Sequence, residues 1–186
     1  MTDVTAPVRR PRRWKIALSA AFLGLLALLA VGLTRDPSNL PSALIGQPMP
    51  GFALPLLDGD GTLVSAEAAG HPLILNFWAS WCTTCRQEHP VLVDLGLRAQ
   101  AQGAFAIAGI NYRDTPEHAM TFLDREGHFP YLSAQDPNGR LGIDFGVYGM
   151  PETFFVDAGG IVRARHAGPL TPRILAEHLP KIGVAP

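Results

Sequence analysis

A short apolar run, LILNFWA at 73–79, leads within three residues into Cys82-Thr83-Thr84-Cys85, which holds the only two cysteines of the chain. The run has the length and apolarity of a strand buried on both faces. The segment after it, Thr83 to about Gln102, reads as a helix, which Pro90 is expected to kink because it has no N–H to donate. A buried strand feeding a helix limits the chain to a layered α/β fold. It also places Cys82 where a helix N-terminus offers free N–H groups and partial positive charge, both of which stabilise a thiolate. Cys82 is expected to be the exposed nucleophile. Cys85, one turn in, is expected to be the more buried thiol that resolves a mixed disulfide.

The rest of the body alternates. Gly51–Leu57 and Thr62–Val64 flank the turn Asp58-Gly59-Asp60-Gly61 and read as a β-hairpin. Ala104–Asn111 is a second central strand. Thr115-Pro116 and Thr171-Pro172 each offer an N-cap followed by proline at the first helical position. The first of these helices runs to about Glu126 and stops at Gly127. Thr153–Asp157 and Ile161–His166 flank Ala158-Gly159-Gly160 as a strand pair. This order predicts a mixed sheet with helices on its faces.

The N-terminus differs in kind. Residues 1–35 carry six Lys/Arg against Asp3, although the whole chain has a net charge of −1. The remaining body is acidic, which argues against nucleic acid as a partner. Ile16–Leu33 has Ser19 as its only polar residue, and as a helix it would be about 27 Å long, close to a bilayer core. The basic cluster before it predicts a cytoplasmic N-terminus and an exported body. The expected organisation is a basic cytoplasmic segment (1–15), a transmembrane signal-anchor (16–33), a proline-bearing linker (34–50) and one domain (51–186). A cleavable signal peptide, cut after Gly32, is the other reading of the same segment, and it exports the body equally.

Export narrows what the cysteines do. Disulfides form readily outside the cytoplasm, but one bridge at this spacing closes a tiny loop and stabilises little. A structural zinc site needs four ligands, and no second cysteine pair exists. Copper delivery stays open, since soft thiolates suit Cu(I). His89, four residues after Cys85, reads as a packed or solvated helical histidine. Redox exchange ranks above all of these.

NFWASWCTTCRQEHP at 76–90 and GVYGMPETFFVD at 146–157 together resemble the thioredoxin superfamily. More narrowly, with IGQPMPGFALPLL, GINYRD and DPNGRLGIDFGVYG, they resemble the membrane-anchored thiol:disulfide interchange proteins of cytochrome c maturation, the DsbE or CcmG family. The resemblance implies an α/β, thioredoxin-like fold: a mixed central β-sheet flanked by helices, an N-terminal β-hairpin extension and one N-terminal transmembrane helix. It implies that Pro151 is a cis-proline facing the dithiol and that Met150 presents its backbone to an extended client peptide. Glu88, Glu152 and Asp136 match acidic positions near the dithiol, expected to oppose the helix terminus and make Cys82 less acidic. Either Trp78 or Trp81 lines the groove. Asn76 stands where a general thioredoxin has a buried aspartate. Thr83-Thr84 departs from the family, which usually places a proline between the cysteines. No cofactor beyond the dithiol is implied. The implied partners are apocytochrome c or a haem-assembly thiol protein, with electrons from a DsbD- or CcdA-like membrane thiol transporter. The implied location is the cytoplasmic membrane, single-pass, with the C-terminal domain in the periplasm. An anchored reductase for another exported client and a non-catalytic docking module are the competing functions. A peroxidase is discounted, because no threonine stands two or three residues before a lone attacking cysteine.

Overall fold

The computed structural model describes residues 13–33 and 42–186. The chain divides into two units at Pro37 and Ser38. The first contains helix α1 (Arg13–Leu33), 21 residues long. Its side chains at 14–30 and 32 are exposed. Among the described residues, no helix is long and apolar enough to cross a membrane. The expected span at 16–33 includes Val31 and Leu33, whose side chains lie outside the description, as do residues 1–12 of the basic segment and 34–41 of the linker.

The second unit is built on a five-stranded sheet in the order β5-β4-β3-β6-β7. Strands β3 (Leu73–Trp78), β4 (Ala106–Tyr112) and β5 (Ser133–Asp136) run parallel, and β6 (Glu152–Val156) and β7 (Val162–Ala167) pair antiparallel. A separate hairpin joins β1 (Ala53–Pro55) to β2 (Thr62–Val64). The helices are α2 (Thr83–Gln102), α3 (Pro116–Glu126), α4 (Arg140–Phe145) and α5 (Pro172–His178). Part of the stretch expected as linker already belongs to this unit. Gly46 N–H donates to Val162 O at 2.8 Å, and Met49 N–H donates to Gly160 O at 2.9 Å.

Central strand β3 is buried at every position, as a strand covered on both faces must be. Its alternating side chains divide the core. Ile74 joins Leu92 and Leu95 of α2 and Ile174 and Leu175 of α5. Leu75 and Phe77 join Leu141 and Phe145 of α4. At the strand's C-terminal end, Trp78 and Ala79 pack with Cys82, Cys85 and α3 residues Ala119, Phe122 and Leu123. Thr115 and Thr171 cap α3 and α5 as their Thr-Pro sequences predict, accepting from His118 N and Ile174 N. Helix α2 continues through Pro90, which falls inside it. One strand and one α-helix were not expected. β5 has four residues, and α4 has six between glycines in the left-handed region.

Candidate active site

Cys82 is the N-cap of α2, and its Sγ accepts the Cys85 N–H at 3.0 Å. The sulfur thus occupies the place of the capping oxygen that helix starts usually recruit. The same N–H would stabilise a Cys82 thiolate, with the helix dipole behind it. Cys82 and Cys85 form a disulfide. The expected contrast in exposure is small: Cys82 is 5% exposed and Cys85 3%. Both sulfurs lie in the cluster at the end of β3, against which Met150 packs.

The segment before Cys82 is held from the turn that follows β4. Asp114 accepts Ser80 N–H at 2.7 Å, Ser80 Oγ at 3.0 Å and Asn111 Nδ2 at 3.1 Å. Trp81, 58% exposed, donates its Nε1–H to the carbonyl of Arg113, whose φ is +46°. Trp81 is therefore the surface tryptophan beside the dithiol, whereas Trp78 is buried against Phe122 and Phe129.

The Met150–Pro151 peptide is cis. Thr84, in the first turn of α2, donates its hydroxyl to Met150 O at 3.1 Å, which ties the dithiol turn to this loop. The loop is held from below by Glu152. Its Oε1 accepts Tyr148 N–H at 2.9 Å and Gly149 N–H at 3.0 Å. Its Oε2 meets Arg165 Nε at 2.7 Å and Nη2 at 2.6 Å. The Arg165 guanidinium also lies 4.4 Å from the centre of the Tyr148 ring. Glu152 was expected to act on Cys82 by its charge. The structure pairs that charge with Arg165, so the carboxylate serves the loop's geometry, and Glu152→Gln is expected to leave the Cys82 pKa nearly where it is. Arg165→Met strands a buried carboxylate. It is expected to cost about 3–5 kcal/mol in urea unfolding of the oxidised chain, with part recovered when Glu152→Gln is added. A loss under about 1 kcal/mol, the size of a surface pair, would contradict the clamp.

Glu88 lies one turn beyond Cys85 on the same buried helix face and has no exposed surface. Its Oε1 accepts Asn76 Nδ2 at 3.0 Å and its Oε2 accepts Leu170 N–H at 2.7 Å. Asn76 Nδ2 also donates to Thr153 Oγ1 at 3.0 Å. Burial pushes the Glu88 carboxyl up to about 7, against the two hydrogen bonds that favour its charge. His89 is packed on Phe122 and Phe129, and burial lowers its pKa, with the Gly127 backbone and Glu126 pulling the other way.

Asp136 is not brought to the dithiol. It ends β5, two strands from β3, and its Oδ2 accepts the Gly142 N–H at 2.9 Å to fix α4. Asp114, Arg165 and the Thr84 hydroxyl were not expected in the site. For the arginine the signal is an opposite charge across the Ala158-Gly159-Gly160 turn, and it counts only once the two strands are paired in register.

Comparison with known proteins agrees with this arrangement. Residues 44–179 match the Redoxin family. The thiol:disulfide interchange protein DsbE of Escherichia coli K12 is 46% identical over 166 residues, spanning 88% of this chain and 86% of the relative. DsbE of Pseudomonas aeruginosa is 44% identical, spanning 84% and 87%. Among solved structures, one assigned as DsbE of Chlorobium tepidum superposes with a TM-score of 0.67 at 30% identity, covering 78% of this chain and all of that one. A thiol-disulfide oxidoreductase from Bacteroides fragilis gives 0.63 at 25% identity, covering 73% and 98%. The chain belongs to the redoxin family and, within the thioredoxin superfamily, is a thiol:disulfide interchange protein of DsbE type, a protein-disulfide oxidoreductase.

Proposed function

We propose that the chain works as a reductase tethered to the cytoplasmic membrane, with its dithiol in the periplasm and apocytochrome c or a haem-assembly thiol protein as its client. The observation that carries this is the capped Cys82 sulfur beside the cis Met150–Pro151 loop, in a chain 46% identical to DsbE. The tether is supported by the composition of 16–33 and by the exposed apolar side chains of α1.

The Cys82 thiolate attacks one sulfur of a client disulfide, and the other client sulfur leaves as a thiolate that takes up a proton. Cys85 gives up its proton, and the acceptor in this reading is Glu88, buried one turn further along α2 with its carboxyl pushed up to about 7. The Cys85 thiolate then attacks Cys82 Sγ and releases the second client thiol, which recovers that proton. One client disulfide is reduced and the Cys82–Cys85 dithiol is oxidised. A thiol transporter of DsbD or CcdA type reverses the oxidation with two electrons and two protons.

One labelling experiment tests direction and sidedness together. Spheroplasts are treated with a membrane-impermeant maleimide, with no added reductant. Modification of both cysteines is expected. Labelling only after a reductant is added would make the resting protein an oxidant. Labelling only after lysis would place the domain in the cytoplasm.

A further inference from the structure

The hydroxyl of Thr84 has two acceptors and one proton. Its Oγ1 lies 3.1 Å from Met150 O and 3.4 Å from Cys82 Sγ. Neither neighbour donates: a carbonyl has no proton, and Cys82 Sγ has none while bonded to Cys85. In the disulfide form the proton therefore belongs to Met150 O, which is the better neutral acceptor. Met150 O is also a backbone group that an extended client would pair with at this loop.

Reduction changes the balance. A partner dithiol supplies two electrons to the Cys82–Cys85 bond. Cys85 takes up one proton and Cys82 is left as a thiolate, with the partner's other proton lost to solvent. A thiolate is a charged acceptor, and hydrogen bonds to charged groups are about twice as strong as neutral ones. Thr84 sits in the first turn of α2 and is half-buried, so rotation of its side chain moves the proton between the two acceptors without moving the helix.

We infer that the Thr84 hydroxyl is a redox-dependent gate on the docking loop: it occupies one lone pair of Met150 O in the oxidised protein and turns to the Cys82 thiolate in the reduced one, freeing that lone pair for a client. The gate rests on the reductase reading above. It would let the reduced form engage a client strand and the oxidised form let it go.

The test uses full-length chain in detergent, as wild type, Thr84→Val and Thr84→Ser. The Cys82 pKa is read from thiolate absorbance of the reduced protein. It is expected to rise by about one unit in Thr84→Val and to stay near wild type in Thr84→Ser. The second readout is binding of a peptide carrying a Cys-x-x-Cys-His haem-attachment sequence with both cysteines replaced by serine. The reduced wild type should bind it about fivefold more tightly than the oxidised form, the effect of one net hydrogen bond. That ratio should fall to about one in Thr84→Val and return in Thr84→Ser. An unchanged Cys82 pKa in Thr84→Val, or a wild-type ratio kept in that variant, overturns the gate. A peptide that binds neither form while the pKa shifts as expected supports the hydroxyl's turn and counts against apocytochrome c as client.

Discussion

Cys82→Ala is expected to abolish disulfide reduction, while Cys85→Ser is expected to keep the first attack and stall as a mixed disulfide. The two outcomes differ because the two sulfurs differ in surroundings rather than in exposure. Cys82 accepts the Cys85 N–H as the cap of α2, so its thiolate is the stabilised one. Cys85 lies inside the first turn and is buried, and its part is to displace the client. Both effects are read in one assay that follows reduction of a disulfide-bonded peptide, with gel detection of the adduct. Full activity in Cys82→Ala would assign the chain to non-catalytic docking.

Glu88→Gln is expected to remove a pH dependence and to slow resolution of the mixed disulfide. The Glu88 carboxyl titrates at about 7 in the fold against 4.5 for an ordinary glutamate. The fold thus favours the protonated acid. Its contribution to stability is complete below about pH 4.5 and is lost as the pH rises through about 7. At about 1.4 kcal/mol per unit, the oxidised protein is expected to lose about 3 kcal/mol across that window. His89 and His178 act in the other sense. Burial lowers both, so their contribution is present above about 6.5 and is lost on acidification. Both histidines remain in the variant, so the difference between wild-type and Glu88→Gln unfolding curves, taken from pH 4.5 to 8, isolates the glutamate. Parallel curves would contradict the burial-driven shift. The kinetic expectation is separate: Gln cannot take the Cys85 proton, so mixed disulfides should persist longer in the variant near pH 7.

Much of this could be read before the fold was known, and the reasons are local. LILNFW is a strand because every residue but Asn76 is apolar and every position is buried, and the Thr-Pro pairs start helices by capping and by a fixed φ. Cys82 and Cys85 declared themselves because dithiol spacing and a helix start coincide. What was missed has no local signal. SAQD becomes β5 only because β4 is there to pair with it, and RLGIDF is too short for a helical period to show. The Glu152 and Arg165 pair depends on the register of two strands, and at the level of composition each residue looks like a solvated charge. Asp136 shared its acidity with Glu88 and Glu152 but not their place: strand order puts it two strands away, capping α4.

The central claim is that Cys82 exchanges disulfides with an exported partner, and trapping measures it most directly. The full-length chain carrying Cys85→Ser is expressed in its own cells, and proteins bound to Cys82 are released by reductant and identified. An apocytochrome c or a haem-assembly thiol protein is expected. No adduct, with the chain folded and Cys82 present as a free thiol, would contradict disulfide exchange and favour metal delivery or passive docking.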